Sequence, residues 1–191
     1  MRLHGVMTNS TALHPKYTVG TWAIDPTHST VAFSVKHLMI SKVRGTFDVF
    51  SGTIVTAENP ADSTIEASIE VASVNTNQAD RDNHLRTGDF FKADEFPTMT
   101  FRSTAFTVDG DDFTIDGDLT LRGVTKAITL TGEFGGIIVN GYGQTMAAAT
   151  ATTKINRQDF GVNWNAALEA GGMTLGDDVT ITLDLQATLQ A

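Results

Sequence analysis

The chain contains no cysteine, which excludes a disulfide framework and any thiolate metal site and leaves the redox compartment unread. It has no apolar run of about eighteen residues, so no helix is expected to span a bilayer. Positive charge is scarce: 13 Lys and Arg stand against 22 Asp and Glu, a formal net charge of −9. A surface that follows phosphates needs clustered Lys and Arg to displace counterions, which argues against nucleic acid as a partner. The stretch MRLHGVMTNSTALHPKYTVG lacks an apolar segment with a small-residue cleavage site behind it. As written the chain therefore reads as cytoplasmic, and as periplasmic or secreted if a leader has been removed. Its 191 residues suit one core. Residues 1–17 read as a flexible arm and residues 18–191 as a single domain.

What the chain has in abundance is a period of two. In VTITLDLQATLQ (179–190), Val179, Ile181, Leu183, Leu185, Ala187 and Leu189 share one face, opposite Thr180, Thr182, Asp184, Gln186, Thr188 and Gln190. That is a strand with one wet face. STIEASIEVASV (63–74), DFTIDGDLTLRG (112–123) and STVAFSVKHL (29–38) alternate in the same way. Residues 43–57, 98–109, 124–134 and 143–155 are rich in Thr, Val, Ile and Phe and bring the count to eight. In 43–57 the apolar parity moves from Phe47 and Val49 to Phe50 and Ile54, which predicts a bulge near Ser51 and Gly52. Short connections such as VDGDDF and LRGVTK pair neighbours antiparallel. Eight such strands make a sandwich or an up-and-down barrel, and closure removes exposed edges. The expected fold is all-β, an eight-stranded antiparallel barrel. Inward positions hold the small residues Ala67, Gly117, Ala147, Ala149 and Ala151, which leave room inside.

Two segments depart from the alternation. NQADRDNHLRTGDFFKADEFP (77–97) predicts a short helix over 78–86 at a barrel end, then a turn closed by Pro97. NRQDFGVNWNAALEAGGMTLGDD (156–178) predicts a helical turn at 157–160 and a mobile loop through Gly171 and Gly172. GEFGGIIVNGYG lacks the lysine and helix of a phosphate loop and reads as a hairpin.

Chemistry-bearing residues are few. DPTHS (25–29) holds the ingredients of a Ser, His and carboxylate set, yet adjacent residues rarely converge on one point. The simpler reading is a turn in which Asp25 or Ser29 bonds the backbone, with His28 at a barrel end. His28, His37 and His84 have the chemistry of a zinc site, although nothing in their spacing demands one. Arg81, Arg86 and Arg157 could hold an anionic headgroup; the competing reading of Arg81 is an ion pair with Asp80, Asp89 or Asp159. Trp22 and Trp164 read as core anchors rather than ligand stackers, though a barrel mouth would permit both roles. No catalytic residue, metal or cofactor is assigned.

Four blocks carry a resemblance: WAIDPTHSTVAFSVKHLMISKVRGTF (22–47), RDNHLRTGDFFKADEFPTMTF (81–101), GDLTLRGVTKAITL (117–130) and INRQDFG (155–161). In these the chain resembles the YceI-like family of lipid-binding proteins. The resemblance implies a lipocalin-like barrel with a long apolar tunnel that takes a polyisoprenoid or related amphiphile, such as a prenyl diphosphate, a quinone or a fatty amide. Strand parity then makes Phe33, Val35, Phe47, Ile69, Phe101, Leu119, Leu121 and Leu183 the expected lining. Phe90, Phe91 and Phe96 would plug one end, and His28, His37, Arg81, His84 and Arg157 are the expected polar mouth. At about 0.8 kcal/mol per buried methylene, ten carbons supply roughly 8 kcal/mol gross, so the tail sets affinity and the headgroup sets orientation. The expected function is noncatalytic storage or transport of a long-chain isoprenoid. Its rivals are an enzyme using a histidine acid or base on such a ligand, and a stress-related interaction module whose barrel is filled. Family analogy admits a homodimer, for which the sequence offers no heptad and no apolar stripe.

Overall fold

Three of the barrel's long walls are each interrupted once, which is why eleven strands build an eight-stranded ring. The computed structural model describes residues 13–191. Strands β1 (Gly20–Ile24) and β2 (Thr30–His37) are two halves of one wall, both antiparallel to β11 (Leu175–Leu189). Strands β3 (Ser41–Phe47) and β4 (Phe50–Thr56) form the next, and β5 (Thr64–Glu70) and β6 (Val74–Asn75) the third. Strands β7 (Thr98–Asp109), β8 (Asp112–Leu121), β9 (Val124–Val139) and β10 (Thr145–Asn156) follow, each antiparallel to its neighbours. Pairing of β1 with β11 closes the ring. The expected eight-stranded antiparallel barrel is the observed one.

The breaks differ in place from the sequence expectation. The second wall is interrupted at Asp48 and Val49, ahead of the predicted bulge at Ser51 and Gly52. Gly52 serves a different purpose: a Cβ there would fall 2.5 Å from Ile24 Cδ1, so its bare backbone lets the short β1 seat Ile24 inward. The β8–β9 turn is made by Arg122 and Gly123 at φ 51° and 72°, the two positive φ values that match the twist of a two-residue hairpin. Gly123 is also where Phe96 packs, since a Cβ would meet Phe96 Cε1 at 2.6 Å. Phe96 thus lies under this turn and lines neither cavity described below. The GEFGGIIVNGYG stretch is the end of β9 and the turn into β10, with a register shift opposite Ala148 and Ala149.

The one α-helix, α1 (Ala79–Arg86), is too short to persist alone, and Leu85 is its only large apolar residue. Polar contacts hold it instead. Gln78 caps it by accepting from Arg81 N at 2.6 Å. Asp82 is buried and accepts from Thr76 N at 2.9 Å and Thr76 Oγ1 at 2.5 Å. Arg86 donates to the carbonyls of Ala72 and Val74. Acidic Asp80 and Asp82 in the first turn and His84 and Arg86 in the last also suit the helix dipole.

The predicted turn at 157–160 is a 3₁₀ turn, Arg157–Phe160. The segment through Gly171 and Gly172, expected to be mobile, folds into a tight reversal in which Leu168 N donates to Gly172 O and Ala167 bridges Met173. Residues 1–12 of the expected arm lie outside the described residues. Residues 13–17 pack across the barrel end away from α1: Leu13 bridges Gly110, and Tyr17 Oη donates to Ala57 O at 2.8 Å.

Candidate functional site

Two apolar chambers run end to end through the barrel. The near chamber, about 260 Å³, lies under α1; the far chamber, about 240 Å³, reaches to residues 14–18. Val31, Met99 and Ile181 line both, and so mark the waist of the barrel interior where the two chambers meet. Together they fall in the range of about 300–1,000 Å³ usual for small-molecule sites.

The sequence-expected lining divides between the chambers. Phe33, Val35, Phe47, Phe90, Phe91 and Leu121 line the near one. Ile69, Phe101, Leu119 and Leu183 line the far one. The physical cause is register: Phe33 lies opposite Ile181, Val31 opposite Leu183 and Phe101 opposite Leu119, so the inward rows of neighbouring strands coincide. The far chamber owes its width to β10, which lines it with Ala147, Ala148, Ala149, Thr150, Ala151 and Thr153 and with no large apolar side chain. At its end Trp22 is 3% exposed and donates Nε1 to Thr56 Oγ1, and His14 sets its ring edge on Phe134 at 4.8 Å.

Four of the five expected mouth residues, His37, Arg81, His84 and Arg157, line the near chamber. Arg81 pairs with none of Asp80, Asp89 or Asp159. Its Nε and Nη2 donate to Thr76 Oγ1 and Thr76 O at 2.7 and 2.8 Å, because adjacent positions on a helix do not face each other. His84 Nε2 meets Asp89 Oδ2 at 2.7 Å, and its ring stands edge-on to Phe90 and Trp164 at 5.1 and 5.2 Å. Arg157 is buried, at 4% exposure, and is a clamp: Nε donates to Gly176 O at 2.8 Å and Nη1 to Val162 O and Trp164 O at 2.7 and 2.8 Å. Its Nη2 lies 3.6 Å from Asp177 Oδ1. Burial lowers the guanidinium pKa, and the Asp177 charge opposes that shift.

His28 is the exception among the five. It sits in the break between β1 and β2, outside both chambers, with Nδ1 2.7 Å from Asp25 Oδ2. Ser29 Oγ is bound to Gln186 O and Gln186 N, so DPTHS is a turn that bridges two half-strands. Nor do His28, His37 and His84 converge: among the described residues no group of three or more His, Asp or Glu could hold a metal. The bond from His28, and secondarily that from Thr27 N, holds the Asp25 carboxyl below its usual 3.8. A depressed folded-state pKa gives stability that is fully present above the unfolded value and lost as pH falls through the folded one. Asp25→Asn is therefore expected to melt below the parent at neutral pH, with the gap closing as pH drops under 3.8; thermal melts across that range measure it.

A sequence profile of the YceI-like domain matches residues 22–187. The chain belongs to the YceI-like family. A YceI-like relative, a UPF0312 protein of Staphylococcus aureus (strain N315), is 40% identical over 161 residues, 83% of this chain and 91% of that protein. The YCEI protein of Campylobacter jejuni matches with a TM-score of 0.69 and 34% identity, covering 82% of this chain and 90% of that one. Two more distant structures share the fold. Burkholderia cenocepacia BcnA has a TM-score of 0.75 at 23% identity, covering 86% and 99% of the two chains. A polyisoprenoid binding domain from Saccharophagus degradans has 0.66 at 18%, covering 91% and 100%.

Several residues that line or support the chambers of this YceI-like barrel were not among the expected lining and mouth residues. Val31 and Ile181 stand on the same inward faces as Phe33 and Leu183, so the alternation pointed to them. Trp164 lines the near chamber against His84 and Phe90, and Thr76 anchors both Arg81 and Asp82. Neither carried a periodic signal.

Proposed function

We propose that this YceI-like barrel stores or carries one long-chain isoprenoid or related amphiphile without transforming it. The observation that carries the reading is the pair of apolar chambers that share Val31, Met99 and Ile181 in their walls, with ionisable groups gathered at the α1 end. A tail threads the waist into the far chamber and gains burial free energy at each methylene. The head stays beside His37, Arg81 and His84, where a few polar groups fix its orientation. The description of the Saccharophagus degradans domain as polyisoprenoid-binding supports this class of cargo. In this reading His84 orients the head, with its ring held in place by Asp89 at Nε2.

Organic extraction of the purified chain followed by mass spectrometry tests the proposal. One prenyl or fatty chain per barrel is the expected result. An extract without such a chain, again after incubation with prenyl quinones and prenyl diphosphates, would overturn the reading in favour of an interaction module.

A further inference from the structure

The hairpin joining β2 and β3 ends in a tip that local energetics disfavour twice. Leu38, Met39 and Ile40 are 40%, 53% and 87% exposed. Leu38 and Met39 also hold φ of 51° and 64°, where a side chain crowds the backbone and Asn or Gly is the low-cost choice. A turn chosen for conformation and solubility alone would carry neither residue. Met173, also exposed, follows Gly172, at which a Cβ would stand 3.4 Å from Met39 Cγ. The loop after Trp164 thus adds to the same apolar patch.

This tip borders the tunnel mouth. Leu38 N donates to Thr174 O at 2.8 Å, and His37, Thr174 and Leu175 line the near chamber.

Its charge departs from that of the chain. No Asp or Glu occurs from residue 26 to residue 47, in a protein of net charge −9. Lys36 and Lys42 lie directly opposite each other across the strands, and Arg44 lies opposite Ser34. Like charges so placed destabilise a sheet. None of the three cations pairs with a carboxylate among the described residues. On the adjoining β11, Asp177 is engaged by Gln158 and Asp178 by Lys154.

We propose that the β2–β3 hairpin docks the protein on a bilayer surface containing anionic lipid, with its apolar tip in the interface and its cations among the headgroups. Apolar side chains flanked by Lys and Arg bind such a surface by burial plus attraction. Acidic groups elsewhere on the barrel are screened over about 8 Å at physiological salt. Docked this way, the mouth opens beside the membrane, so a long tail passes between bilayer and tunnel without crossing water. The inference rests on the carrier reading for its cargo.

The test is sedimentation of the full chain with phosphatidylcholine vesicles, with or without phosphatidylglycerol, at low and physiological salt. The parent is expected to pellet with phosphatidylglycerol vesicles, less so as salt rises. Leu38→Asn with Met39→Asn is expected to weaken vesicle binding by about tenfold or more while the melting temperature holds or rises, because Asn tolerates positive φ better. Lys36→Glu with Lys42→Glu is expected to abolish the preference for phosphatidylglycerol. Docking is overturned if the parent pellets with neither vesicle, or if the Asn variant pellets like the parent. It is likewise overturned if the parent ignores vesicles and is a dimer that the Asn variant dissolves, since a second copy then covers the tip. Extracts of both proteins are expected to contain the same cargo. A loaded tunnel with no vesicle binding defeats docking alone, whereas a tunnel that yields no chain defeats the carrier reading.

Discussion

Met99→Trp is expected to weaken binding of long-tailed amphiphiles by roughly a thousandfold while sparing short-tailed ones. Met99 is buried in β7 and lines both chambers with Val31 and Ile181, so an indole there closes the waist. A tail barred from the far chamber loses the burial of whatever lay beyond. Five carbons, one isoprene unit, are worth about 4 kcal/mol at about 0.8 kcal/mol each, and every 1.4 kcal/mol is about tenfold. A longer tail forfeits more, offset by the ordering it no longer undergoes. Overpacking the core costs about 1–3 kcal/mol of stability, which thermal melts monitor separately. Titration with prenyl quinones of increasing tail length reads the effect. Parent affinity is expected to climb with length past the waist, and variant affinity to level off there. Parallel climbs in the two proteins would mean that the chambers are not one tunnel.

That experiment turns on a residue outside the sequence-expected lining, and the reason shows what alternation can deliver. Periodicity of two places a residue on the inner or outer face, and it placed Phe33, Phe101, Leu119 and Leu183 inward. It carries no coordinate along the barrel axis, so it could not say that Met99 stands level with Val31 and Ile181. The strand count was legible because Asp48 with Val49, and the DPTHS turn, interrupt walls without ending them. The short β1 was not, since GTWAI is too brief to establish a period. Polar roles were the least legible. Arg81 has carboxylates near it in sequence, but its partner is Thr76, whose backbone and hydroxyl α1 brings within reach. The exposed tip at Leu38 and Met39 belongs to the same class: a run of apolar residues after an alternating strand reads as more strand until the backbone turns through positive φ.

Arg157 is the sharpest case, because the residue type fits two jobs. Arg157→Met is expected to lower the melting temperature of the ligand-free protein by roughly 10 °C. The planar guanidinium holds the carbonyls of Gly176, Val162 and Trp164, and a thioether of similar length leaves all three without a donor. Each unsatisfied buried acceptor costs about 1–3 kcal/mol. Partial solvent access brings the sum to about 3–5 kcal/mol, and a domain of this size loses about 2–4 °C per kcal/mol. Arg157→Lys keeps the charge but lacks the fork that reaches diverging carbonyls, so it is expected to recover only part of the loss. A headgroup contact would behave otherwise: the melting temperature would hold, and affinity would fall for diphosphate ligands and not for quinones. The clamp predicts that both ligand classes weaken together, because Trp164, Thr174 and Leu175 of the near chamber belong to the segment that Arg157 ties down. Differential calorimetry of the two variants without ligand, followed by paired titrations with a prenyl quinone and a prenyl diphosphate, separates the two roles.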